Sequence, residues 1–186
     1  MFERDDRSRL LTIARRSLEA RVRRERDPAH QLGGALDTPC GAFVSIHRGP
    51  DLRGCLGRLE GDWPIARVVA HLGRAVADSD PRFAPVSADE LDTLSIEISA
   101  LTPEREVQTI DEIEIGRHGL IIEQGSRRGL LLPQVAREHG WDVKTFLDHT
   151  FMKAALPAGA WKTDARILIF EAEVFGEQAN PIERIG

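Results

Sequence analysis

The 186-residue sequence predicts an α+β fold made of two interlocked units, each a hairpin, a helix and a closing strand. Two observations carry this prediction. Strand-like stretches come in pairs joined by turn residues, and each pair leads through helix to an apolar closing strand. Each hairpin also holds an Arg-Gly dipeptide in its second strand, Arg53-Gly54 and Arg128-Gly129. This echo reads as a degenerate duplication, with subdomains of about 1–103 and 104–186. Units so short cannot each bury a full core, so they are expected to pack together and to leave a cleft as the natural place for a site.

The elements follow in order. Leu11, Ala14, Leu18 and Val22 recur at helical steps, which predicts an amphipathic helix from Arg7 to about Arg24, ended by Asp27-Pro28. Gln31 to Cys40 reads as a loop. Gly41–His47 and Arg53–Leu59 read as a hairpin around Arg48-Gly49-Pro50-Asp51. Asp62 is placed to cap a helix running to about Asp78, with Ile65, Val68, Val69, Leu72 and Val76 on its buried stripe and His71 on its surface. Ser87 to Glu90 fits a capping box for one short turn. Leu94–Ala100 alternates cleanly, with Ser95, Glu97 and Ser99 sharing the face away from the core. A polar connection over 102–115 leads into the second half. There Gly119–Glu123 and Arg128–Leu132 form a hairpin, Pro133 opens a short helix, and Asp142 caps another over Val143–Ala155. Arg166–Phe175 is the closing strand, and a polar tail follows, expected to be loosely held.

Composition narrows the function. Net charge is −5, the sequence pI is about 5.7 and apolar residues make up 41%. A nucleic-acid binder would carry a basic excess and stacking aromatics, so nucleic acid is an unlikely partner. No apolar run is long enough to span a bilayer, and the first residues lack a signal-peptide core, so the expected location is the cytoplasm. Nine arginines crowd between Arg4 and Arg26. They make either a solvated face or a contact for an acidic partner or anionic surface. Two cysteines, Cys40 and Cys55, make no disulfide scaffold. The six histidines show no His-x-x-x-His pair, and phosphate-loop and dinucleotide patterns are absent, so no metal or cofactor is expected from local spacing.

The chemistry concentrates in Asp51–Gly61, where three glycines, a thiol and two arginines share eleven residues. In a regular strand Arg53, Cys55 and Gly57 lie on one face, and Arg53 is near enough to favour a thiolate at Cys55. A bulge at Gly54 would re-aim Cys55. The stretch is either a small thiol site cleared by glycine or a half-buried structural cysteine beside a bend.

Three stretches together resemble the AMMECR domain family, known in bacteria as AmmeMemoRadiSam system protein A. They are Leu52-Arg53-Gly54-Cys55-Leu56-Gly57; Asp80-Pro81-Arg82-Phe83 with Pro85-Val86 and the Leu94–Ser99 strand; and Gly116-Arg117-His118-Gly119-Leu120, continuing through Arg128–Gln134 to Lys153 and Trp161. The resemblance implies a two-subdomain α+β fold. It also implies association with a radical S-adenosylmethionine (SAM) enzyme and a Memo-like protein. It places the site around Arg53, Gly54, Cys55 and Gly57, with Arg53, Gly54, Gly57, Gln134 and Lys153 expected to bind an unknown small-molecule ligand. Where relatives usually carry a cysteine this chain has Phe151, and a usual glycine near Ala155 is replaced. Two functions follow. One is a ligand-binding or partner component. The other is a thiol-dependent enzyme with Cys55 as nucleophile and Glu97 or His118 handling protons.

Overall fold

The computed structural model describes residues 2–28, 33–159 and 164–177. Trp161 and the tail beyond residue 177 lie outside the described residues. The fold is α+β, and the chain divides into two compact units, residues 1–101 with 173–186, and residues 102–172. The chain first leaves the first unit after Leu101. The second unit then ends at residue 172, and the end of the last strand belongs to the first unit.

In the first unit, helix α1 (Arg4–Arg23) buries Leu10, Ile13, Ala14 and Leu18, so Ala14 and Leu18 of the expected stripe are in the core. Leu11 and Val22 are only partly covered. Strands β1 (Ala42–Arg48) and β2 (Asp51–Arg58) form the antiparallel hairpin, and β3 (Leu94–Leu101) pairs antiparallel with β1 on its other side. Helix α2 (Ile65–Ala75) buries the expected stripe. Val44, Ile46, Ile96 and Ile98 present the sheet's apolar face to α1 and α2. Each such fully buried side chain contributes about 1.5–3 kcal/mol through its removal from water. Asp62 does not cap α2. Pro64 stands at that position without a side-chain cap, and Asp62 pairs with Arg58 instead. The capping box of Ser87 and Glu90 is formed and starts a 3-10 turn over Ala88–Thr93.

In the second unit, β4 is the short pair Arg105–Glu106, which the polar connection hid. Strands β5 (His118–Gln124) and β6 (Arg127–Leu131) make the second hairpin. Helices α3 (Pro133–Glu138) and α4 (Val143–Lys153) follow, and α4 is capped by Asp142, whose carboxylate accepts from the Thr145 amide at 2.8 Å. Phe146, Leu147 and Phe151 fill the core beside Leu120 and Ile122. Strand β7 (Arg166–Gly176) pairs with β5 through residues 166–171. Its last residues serve the first unit, where the Glu177 amide donates to the Ile96 carbonyl at 3.0 Å.

The two units repeat one topology. In each, the first hairpin strand is central, with its partner on one side and the closing strand on the other. The echo extends to the Arg-Gly dipeptides. A Cβ on Gly54 would meet Val76, the residue that caps α2, at 3.1 Å. A Cβ on Gly129 would meet the backbone nitrogen of Ala154, the residue that caps α4, at 2.2 Å. Each glycine is thus the bare spot on which its unit's helix ends.

Candidate functional site

Register builds the site. Ser45 of β1 lies opposite both Cys55 of β2 and Glu97 of β3. The three side chains form one row on the sheet face turned away from α1 and α2. Neighbouring strands are about 4.8 Å apart, so Cys55 and Glu97 stand roughly 10 Å from each other with Ser45 between them. The Ser45 hydroxyl donates to Cys55 Sγ at 3.4 Å. Cys55 is half-buried. Gly57, one step along the same face, lies under the Phe43 ring, which would stand 2.2 Å from a Cβ there.

The irregularity in β2 falls one residue before the expected Gly54. Ile46 pairs with Gly54 and His47 with Leu52, which leaves Arg53 as the extra residue. Gly54 therefore faces the core, and Cys55 keeps its regular facing. Arg53 does not serve the thiol. Its guanidinium forks onto Glu90, with Nε at 2.9 Å and Nη2 at 3.1 Å, and Arg48 joins the same carboxylate. This fork, helped by Ser87, holds the Glu90 carboxyl down at about 2.

The groups that do hold Cys55 come from the connection after α2. Strand β2 is a sheet edge, and edge N–H and C=O groups need partners. Asp80, only 4% exposed, accepts the Cys55 amide at 2.9 Å. The same carboxylate accepts from the Arg82 amide at 3.1 Å and from Arg82 Nε at 3.0 Å and Nη2 at 2.8 Å. Arg82 Nη2 also donates to the Cys55 carbonyl at 3.3 Å. One residue's peptide is thereby gripped at both ends. The Arg82 guanidinium, then the two amides, keep the Asp80 carboxyl well below the usual carboxylate range. Asp80, Arg82 and Ser45 are the site residues that sequence reasoning passed over. Asp80 and Arg82 did lie in a stretch that carries the family resemblance, Asp80-Pro81-Arg82-Phe83, without a site role being read there.

Cys40 is chemically different from Cys55. Its Sγ donates to the carbonyls of Leu101 at 2.8 Å and Gly41 at 3.0 Å, and burial pushes the thiol up to about 11.

The other expected site residues belong to the second unit. His118 is buried, and its Nδ1 accepts the Glu114 amide at 3.0 Å. The neutral ring therefore carries its proton on Nε2, which faces Glu171 at 3.9 Å. In that tautomer Nε2 is a hydrogen-bond donor turned toward Glu171. It lines an open cavity of about 510 Å³ with Arg105, Arg117 and Glu171. Gln134 sits in the first turn of α3 with its side-chain oxygen buried and without a hydrogen-bond partner among the described residues. Lys153 is exposed at the end of α4, beside Gly129. Phe151 is fully buried in this unit's core. Among the described residues no group of three histidine, cysteine or acidic side chains is arranged to hold a metal ion. No helix among them is long and apolar enough to cross a membrane.

Known proteins resemble this chain over most of its length. The family model described as AMMECR1 matches residues 11–175. A protein of Methanocaldococcus jannaschii is 42% identical over 146 residues, 74% of this chain and 73% of that one. A protein of Thermococcus kodakarensis is 39% identical over 190 residues, 94% of this chain and 93% of that one. The crystal structure of an uncharacterized protein from Pyrococcus horikoshii superposes with a TM-score of 0.79 at 36% identity, covering 91% of this chain and 90% of that one.

Proposed function

Because the chain belongs to the AMMECR1 family, we propose that it is a ligand-binding or partner component of a cytoplasmic pathway whose chemistry is performed elsewhere. In this reading it works alongside a radical SAM enzyme and a Memo-like protein, and the face carrying Ser45, Cys55 and Glu97 is what it presents. One observation supports the reading above the others: the charged groups around Cys55 are spent on architecture. Asp80 and Arg82 hold the Cys55 peptide, and Arg53 is neutralised by Glu90. A fixed strand with a half-buried thiol suits recognition, where preorganisation lowers the cost of binding. The test is co-purification of the tagged chain with a radical SAM enzyme and a Memo-like protein from the same organism. A complex that survives at micromolar concentration supports the reading; no complex at that concentration refutes it.

A second reading has its own observation. The Ser45 hydroxyl donates to Cys55 Sγ and stands between it and Glu97. A thiol-dependent enzyme would use Cys55 as nucleophile, with the Ser45 hydroxyl donating a hydrogen bond that stabilises the thiolate and Glu97 handling protons. Loss of turnover in Cys55→Ser with an intact fold would favour this reading, and full retention would end it.

A further inference from the structure

The arginine cluster at the N-terminus separates into two sets once the helix is folded. Residues 4–26 carry nine arginines against four carboxylates, a local surplus of five positive charges in a chain of net −5. Three of these arginines are structural. Arg7 pairs with Glu173 at 2.8 Å, Arg15 Nε donates to Glu177 at 2.9 Å, and Arg21 pairs with Asp78 at 2.7 Å. The other six are exposed. Of these, Arg9 approaches Asp6 only to 3.9 Å, and Arg16, Arg23, Arg24 and Arg26 have no ionic partner among the described residues.

Arg9, Arg16 and Arg23 are seven residues apart, so they fall on nearly one line along α1 at intervals of about 10.5 Å. Arg24 and Arg26 extend the positive end. We infer that this line is a docking strip for an acidic helical segment of a partner protein, one with carboxylates at heptad spacing. The inference goes beyond the function proposed above and does not depend on it. Charge complementarity selects the occupant. A helix with acids seven residues apart offers its carboxylates at the same interval. A lipid surface is disfavoured because α1 has no apolar face left to insert: Leu10, Ile13, Ala14 and Leu18 are committed to the core. Nucleic acid is disfavoured because its phosphates are far more closely spaced and the rest of the chain is strongly acidic.

The test is fluorescence anisotropy of the full chain, at low salt, with a labelled helical peptide carrying paired glutamates every seventh residue. The same peptide composition with irregular spacing, a single-stranded DNA oligomer and phosphatidylserine vesicles serve as comparators. Arg9→Gln/Arg16→Gln/Arg23→Gln should weaken the heptad peptide about tenfold. Arg127→Gln/Arg137→Gln/Lys144→Gln removes the same charge elsewhere and should leave binding within about twofold. Circular dichroism checks the fold of each variant. If the triple change unfolds the chain, Arg16→Gln alone should still weaken binding by about twofold to threefold. The inference is overturned if the heptad peptide does not bind, if the irregular peptide binds equally well, if the control triple weakens binding as much, or if DNA or vesicles bind more tightly than the peptide.

Discussion

Replacing Asp80 by alanine tests whether the grip on Cys55 is what holds the edge of β2. Asp80 accepts four hydrogen bonds from two residues, and the two residues lose different things. The Arg82 side chain is 57% exposed and can turn to water, so its exposed ion pair is worth at most about 1 kcal/mol. The Cys55 amide sits on a half-buried edge, and its bond to a charged acceptor is worth about 1.5–3 kcal/mol. Asp80→Ala should therefore cost about 3 kcal/mol and Arg82→Ala about 1. For a chain of this size, about 3 kcal/mol lowers the melting temperature by roughly 6–12 °C. The pH dependence carries a sign. The folded-state value of Asp80 lies below its unfolded value, so its contribution is complete above the ordinary value of about 3.9 and is lost as pH falls through the folded value. The gap between wild type and Asp80→Ala should be constant from neutral pH down to about pH 5 and shrink below about pH 4. Urea unfolding at several pH values reads both magnitude and sign. Equal losses for the two variants, or a gap that widens in acid, would refute the reasoning.

Three further outcomes follow from contacts already described. Gly129→Ala should cost about 3 kcal/mol or more, because the new methyl meets the backbone of Ala154 and Lys153; Gly54→Ala meets the side chains of Val76 and Ile46, which can yield, and should cost about 1. Equal urea midpoints for the two would contradict this. Ala155 ends α4 at φ 56°, a conformation that disfavours side chains, so Ala155→Gly should raise stability by about 0.5–1 kcal/mol in thermal unfolding, and any loss counts against the assignment. In alkylation read by mass spectrometry, the half-buried Cys55 should be modified in the folded chain, while Cys40 should stay silent until the pH approaches 11 or the chain unfolds.

Much of the frame was legible because it depends on local pattern. The alternation of Leu94–Ala100, the stripe of α2 and the Ser87 capping box all express preferences acting within a few residues. The internal echo was legible too, since the Arg-Gly pairs recur at matching places along the chain itself. What stayed hidden was long-range pairing. Cys55 and Asp80 are 25 residues apart, and nothing in either neighbourhood says that a carboxylate will take that amide. Arg53 stood two residues from a thiol and reads as its partner, but Glu90 supplies a better-matched fork from 37 residues away. The tautomer of His118 depends on one backbone amide, Glu114, four residues upstream. Asp62 had the right offset to cap α2, and lost that role because Arg58 lay closer to hand on the preceding strand.

The last strand has a consequence for biosynthesis. Helix α1 is translated well before the strand that fastens it: Glu173 pairs with Arg7, Phe175 lies beside Phe2, and Glu177 accepts from Arg15. Residues 102–172, by contrast, are contiguous and can close as soon as they emerge. Vectorial synthesis usually lets the N-terminal unit mature first. Here the order is inverted, and the first unit waits until residues 173–177 have been made. A nascent chain stalled before residue 173 would hold a completed second unit and an unfastened arginine-rich helix, a species for chaperones to recognise.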